Sequence, residues 1–184
     1  MSSTPIPMKK VFLFLATLAV LSACSSVRVS SDFDREANFA SYKKYSFTKE
    51  AQELPVGDIN RKRVLDAVTN ELAAKGFTAS DQPDVWVDLK VKAEQKETAT
   101  TTSTPYYGRG YGYRWGGGFS TTDINIEEYV EGTLFVDMID VSKKQLVWQG
   151  RAVGTLDPDA SAEKREQNIN SAVKQIFTKY PPVK

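Results

Sequence analysis

Hydrophobic residues recur at every second position over residues 84–93, where Val85, Val87, Leu89, Val91 and Ala93 interleave with Asp84, Trp86, Asp88, Lys90 and Lys92. A period of two is that of a strand with one face in a core and the other in water. The same signal, shorter, marks Val27 and Val29, which alternate with Arg28 and Ser30, and the aromatics Tyr42, Tyr45 and Phe47 mark a second strand over residues 42–47. Another long strand is predicted over 127–140, with Leu134, Val136 and Met138 on one face. The turn Asp140-Val141-Ser142-Lys143-Lys144 leads into a partner over 145–155, where Leu146, Trp148 and Ala152 share a phase, so the two form a hairpin.

Two stretches carry the helical period instead. Residues 61–75 place Val64, Leu65, Val68 and Leu72 on one stripe, with Asn60 as cap, Ile59 and Val64 as a hydrophobic staple and Gly76 as the stop. Residues 162–179 lead to Ile169, Ala172, Val173, Ile176, Phe177 and Tyr180, a full amphipathic stripe that Pro181 and Pro182 terminate. Half-wet strands with two amphipathic helices predict an α+β domain in two layers, a largely antiparallel sheet with both helices packed on one face. It covers residues 27–182 as one domain, interrupted at 98–122 by a Thr-rich and then Gly/Tyr-rich flexible loop.

The start of the chain follows neither pattern. Lys9 and Lys10 precede the apolar run from Val11 to Val20, and Leu21-Ser22-Ala23-Cys24 follows. A basic segment, a short apolar core and small residues describe a bacterial secretory signal, and the run is about half the roughly 20 residues of a membrane span. Met8 is an alternative start, because Met8-Lys9-Lys10 already opens a compact signal. Leu21-Ser22-Ala23-Cys24 closely resembles the lipobox of bacterial lipoproteins. That resemblance implies diacylation of the Cys24 sulfur, removal of residues 1–23 and acylation of the new amino terminus, with Ser25 resembling an outer-membrane sorting residue. Several acyl chains anchor firmly where one is marginal. Only Ser25 and Ser26 separate Cys24 from the first strand pattern, a reach of about 7 Å, so the domain is expected close to the headgroups.

Composition narrows the chemistry. The chain has one cysteine and no histidine. This removes Ser-His and Cys-His catalysis, zinc-histidine sites and any internal disulfide, and no metal or cofactor is expected. The charge is 24 Lys+Arg against 23 Asp+Glu; without residues 1–23 and their two lysines the balance is 22 against 23, so nucleic-acid binding has no electrostatic basis.

Four stretches resemble one bacterial lipoprotein family, domain-of-unknown-function family 4136. They are Asp32-Phe33-Asp34 through Phe39-Ala40-Ser41-Tyr42-Lys43-Lys44-Tyr45-Ser46-Phe47; Pro83-Asp84-Val85; Gly132-Thr133-Leu134-Phe135-Val136-Asp137; and Leu146-Val147-Trp148-Gln149-Gly150. The resemblance implies a lipid-anchored envelope domain and brings no catalytic residues with it.

Candidate sites are few. The stretch from Pro105 to Phe119 contains Tyr106, Tyr107, Arg109, Tyr111, Tyr113, Arg114 and Trp115, whose rings suit sugar faces or a membrane interface and whose guanidiniums suit phosphates or carboxylates. An uncommitted loop explains the same composition. Its glycines do not stand between a strand and a helix start, so the dinucleotide fingerprint fails. Arg61-Lys62-Arg63 is either a headgroup contact or an ordinary solvated face. Asp84, Asp88, Asp137 and Asp140 offer carboxylates on strands, and Trp86, Phe135 and Ile139 fall out of phase with the core, on the otherwise polar face. The reading is a non-catalytic lipoprotein of the outer membrane, facing the periplasm, that binds or scaffolds an envelope protein or glycan. The alternative is a hydrolase or binding module that uses paired carboxylates on peptidoglycan or another glycan.

Overall fold

A computed structural model describes residues 27–104 and 121–183. It is a mixed α/β fold built on a six-stranded, mostly antiparallel open sheet with three α-helices. In chain order the elements are β1 (Arg28–Phe33), a 3-10 turn (Phe39–Ser41), β2 (Lys44–Phe47), α1 (Lys49–Gln52), α2 (Asp58–Ala74), β3 (Thr78–Ala79), β4 (Val85–Thr104), β5 (Thr121–Asp140), β6 (Gln145–Leu156) and α3 (Ala162–Phe177). The strand order is β1-β6-β5-β4-β2-β3. Parallel strands need a crossover, and the α1–α2 segment is that crossover: it lets β2 run parallel to both β3 and β4, whereas every other pairing is antiparallel.

The predicted alternation in β4 and β5 is borne out. Val85, Val87 and Leu89 are buried against Val136 and Met138, and this face joins Val68 and Leu72 of α2 and Val173, Ile176 and Phe177 of α3 in one core. Trp148 lies in that core with its ring against those of Phe177 and Tyr180. Gly150 sits beneath the Trp148 ring and Ile176, with no room for a Cβ.

Several details differ from the pattern. β2 starts two residues later than predicted because Tyr42 follows the 3-10 turn. α2 starts at Asp58, with Gly57 at its N-cap and no side-chain cap; Asn60 lies inside the first turn and accepts from Arg63, and Ile59 is exposed rather than stapled to Val64. Gly76, at φ 83°, does end the helix, its N–H donating to the Ala73 carbonyl. Leu146 does not share the phase of Trp148. A bulge inserts Val147, so Trp148 pairs with Met138 while Leu146 pairs with Ile139 on the opposite face and is exposed.

The largest difference concerns residues 98–104 and 121–122, expected as loop, which are strand. β6 stops at Leu156 opposite Val130, yet β4 and β5 go on pairing from Lys96–Tyr129 to Thr104–Thr121. At about 3.4 Å per residue this two-stranded arm projects about 30 Å beyond the body of the sheet.

Candidate functional site

Because β4 alternates, its polar residues share the face turned away from the core. Asp88 lies directly opposite Asp137 of β5, which lies opposite Gln149 of β6. Like charges facing each other across a ladder are destabilising, and here they are also sequestered: Asp88 is 8% exposed and Asp137 4%. Lys90, two residues along the same face, resolves the conflict by placing its Nζ 2.9 Å from Asp88 Oδ2 and 2.8 Å from Asp137 Oδ2. The remaining oxygens are also occupied. The Thr48 hydroxyl donates to Asp88 Oδ1 at 2.6 Å, and Gln149 Nε2 donates to Asp137 Oδ1 at 2.7 Å. Thr48 is at the same time the N-cap of α1, accepting from the Ala51 N–H, so a short helix fixes the donor.

The electrostatics follow. Burial pushes the Asp88 carboxyl up, but the Thr48 hydroxyl and the Lys90 ammonium outweigh it, and the net shift is downward. Hydrogen bonds to Asp137 and Asp88 raise the Lys90 ammonium. The two carboxylate oxygens that share Lys90 lie within about 6 Å of each other, a separation found in glycoside hydrolases. Such chemistry needs one carboxyl held protonated near neutral pH. Here a lysine lies between the two and Asp88 is shifted the other way, so the arrangement is an ion clamp. Trp86 and Ile139, paired across the strands, and Phe135, paired with Lys90, lie half-buried on the same face beside it.

A second polar cluster closes the other end of the β4–β5 ladder. Asp140 accepts from the Tyr42 hydroxyl, the Ser142 hydroxyl and the Lys143 N–H. Burial raises its carboxyl, but those hydrogen bonds prevail and hold it down to about 2. Burial and the Asp140 contact push the Tyr42 phenol well up. Asp84 takes the Lys43 and Lys44 N–H groups on one oxygen, which lowers its carboxyl. These aspartates fasten the start of β2 and the β5–β6 turn to the sheet. Beside them is a pocket of about 390 Å³ walled by Phe39, Tyr42, Phe77, Tyr180 and Pro181, with Lys43 and Lys75 also lining it. Tyr180 is buried and its hydroxyl has no hydrogen-bond partner among the described residues.

Of the residues singled out from the sequence, Cys24 and the cluster Tyr106, Tyr107, Arg109, Tyr111, Tyr113, Arg114 and Trp115 lie outside the described residues. Arg61, Lys62 and Arg63 are each paired: Arg61 with Asp58, Lys62 with Asp66 at 2.6 Å, and Arg63 with Asn60 and, at 3.5 Å, with Glu166 of α3. The four aspartates divide into two clusters, Asp88 with Asp137 and Asp140 near Asp84. Sequence reasoning did not find Thr48 or Gln149 as their partners. The ladder register brings Gln149 to Asp137, and a lone threonine before a short helix is a weak signal.

A family model matches residues 29–182, from the second residue of β1 to beyond the end of α3. The chain belongs to DUF4136, a domain of unknown function. No curated protein matches it. Among solved structures, this DUF4136 chain is similar to a PDZ domain protein from Parabacteroides distasonis, at 14% identity and a TM-score of 0.54. The likeness covers 100% of this chain but only 42% of that one and is a likeness of fold. A PelC dodecamer from Paraburkholderia phytofirmans aligns over 83% of this chain and 96% of its own, at 13% identity and a TM-score of 0.46.

Proposed function

We propose that this DUF4136 protein is a lipoprotein held in the outer membrane by lipid on Cys24, facing the periplasm, whose domain binds or scaffolds an envelope component and catalyses no reaction. The observation that carries the reading is the Asp88–Lys90–Asp137 clamp: the two facing carboxylates share one lysine and each has its other oxygen hydrogen-bonded, which suits a frame and not an acid–base pair. In this reading α2 and α3 form one layer and the sheet the other. The second face of the sheet, with Trp86, Phe135 and Ile139 half-buried around the clamp, is then left to a protein or glycan of the envelope. The aromatic and cationic residues from Tyr106 to Trp115 add a further contact, and the short tether between Cys24 and β1 keeps both near the membrane.

The test is recovery of envelope components on the native lipidated protein, compared with a Trp86→Ala/Ile139→Ala variant and with a variant lacking residues 105–119. Specific components that the variants lose support the reading. Recovery that is identical for all three proteins sinks it, and turnover of a peptidoglycan fragment that depends on Asp88 or Asp137 would replace it with the hydrolase.

A further inference from the structure

From the geometry of the β4–β5 arm we infer that the protein pairs with a second copy of itself through the outer edge of β4, antiparallel and centred near Thr101. The arm is what needs a partner. Beyond Val130 and Leu156 two strands pair alone over nine residue pairs, with no third strand among the described residues. A two-stranded ribbon is marginal in water on its own, and three or more strands are usually needed. Both outer edges are open there: β2 leaves β4 after Val87, and β6 leaves β5 at Val130. An open edge is a template for another strand.

The charges choose between the two edges. On β5, residues 121–129 include Asp123, Glu127 and Glu128. A two-fold axis through Asn125 sets Asp123 against Glu127 of the other copy, acid against acid, which opposes pairing. On β4, residues 98–104 read Thr-Ala-Thr-Thr-Thr-Ser-Thr without a charge. A two-fold axis through Thr101 sets Thr98 against Thr104, Ala99 against Ser103 and Thr100 against Thr102, register positions that are uncharged, self-complementary and mostly threonine. The contact is isologous and closes at two copies. It produces a continuous four-stranded ribbon, β5-β4-β4-β5, with both acidic β5 edges outward. The self-complementary run argues for a second copy over an unrelated strand, and the pairing does not depend on the lipid anchor.

The experiment uses the full protein in its own membranes. Single cysteines are introduced at residues 98–104 and, as a control, as Asn125→Cys; the natural chain, whose only cysteine is Cys24, is the reference. On oxidation, cysteines around Thr101 are expected to yield covalent dimers that the reference and Asn125→Cys do not. In parallel, light scattering of the detergent-extracted protein is expected to give twice the chain mass. Thr100→Lys/Thr102→Lys, which opposes lysines across the axis, should halve that mass without moving the thermal unfolding of the body. A single-chain mass at every concentration with no dimer from the scan overturns the pairing. So does cross-linking from Asn125→Cys in place of Thr101, a mass above two copies, or adducts formed only with other proteins. Should the lysine variant fail to fold, the cysteine scan decides by itself.

Discussion

At the scale of single residues, the side chains that matter most are aspartates that the fold keeps charged under cover. Asp140 is 5% exposed and held down to about 2 by Ser142, Lys143 and Tyr42. A carboxyl lowered on folding contributes stability above its unfolded value near 4, and that contribution is lost as pH falls through the folded value. Asp140→Asn is therefore expected to cost about 2 kcal/mol at pH 7 in urea unfolding, and to flatten the decline of stability between about pH 4 and pH 2. The clamp gives a different signature. Lys90→Met leaves Asp88 and Asp137 facing each other without a counter-charge, at a cost of roughly 1–3 kcal/mol. The Asp88 carboxyl, held down in part by Lys90, then loses that support, so the deficit should be full at pH 7 and shrink toward pH 3. Tyr180→Phe removes a buried hydroxyl that has no hydrogen-bond partner among the described residues and should be neutral or stabilising by about 1 kcal/mol. The four aspartates themselves were legible in the sequence as polar strand residues. Their grouping was not, because which carboxylate meets which is a property of register: Asp88 reaches Asp137 only once Val85 is set against Asp140.

Elements were legible where one period runs long enough. The alternation of β4 and the stripe of α3 each specify both an element and its buried face, and the structure buries Val85, Val87, Leu89, Val173, Ile176 and Phe177 accordingly. Ser161 caps α3 through the Lys164 N–H, so Ser161→Ala is expected to cost about 1 kcal/mol. The period misleads where an element is irregular. One inserted residue at Val147 moves Leu146 to the opposite face, and a strict two-residue period has no means of announcing a bulge. The same local geometry explains Gly150, whose Cβ position is taken by the Trp148 ring and Ile176. Gly150→Ala forces the α3 contact apart and is expected to cost roughly 1–3 kcal/mol, measured as a fall in the thermal midpoint. The Thr-rich half of the arm is not legible as strand for a simpler reason: threonine marks loops by polarity and strands by its branched Cβ, and only pairing decides between them.

For the whole molecule, the register separates body from arm. Among the described residues, those buried in β4 and β5 are Val85, Val87, Asp88, Leu89, Val136, Asp137, Met138 and Asp140, all on the body side of the Ala93–Gly132 pair. The ionic clamp and the Asp84–Asp140 cluster lie on that side too, so stability and the open face belong to the body. β1 sets the orientation: Arg28 pairs with Val153, which pairs with Thr133 at the base of the arm, so the chain enters the sheet at the end from which the arm projects. Cys24 stands four residues before Arg28, at most about 14 Å of extended chain, whereas the arm reaches about 30 Å. An anchor on Cys24 thus draws the membrane toward the arm's end of the sheet and leaves the pocket walled by Phe39 and Tyr180 at the far end. Two outcomes follow. Replacing residues 96–129 by a two-residue turn should leave the thermal unfolding of the body within a few degrees of the full chain, since the core described above lies outside the segment removed. Cys24→Ser should move the protein from the membrane to the soluble fraction and abolish palmitate labelling, and a variant still firmly membrane-bound would refute lipid on Cys24 as the anchor. Combining the two changes separates the sources of attachment. On the proposed anchoring, arm-deleted protein that keeps Cys24 should stay with the membrane, and its release into the soluble fraction would assign the attachment to the arm instead of to acyl chains on Cys24.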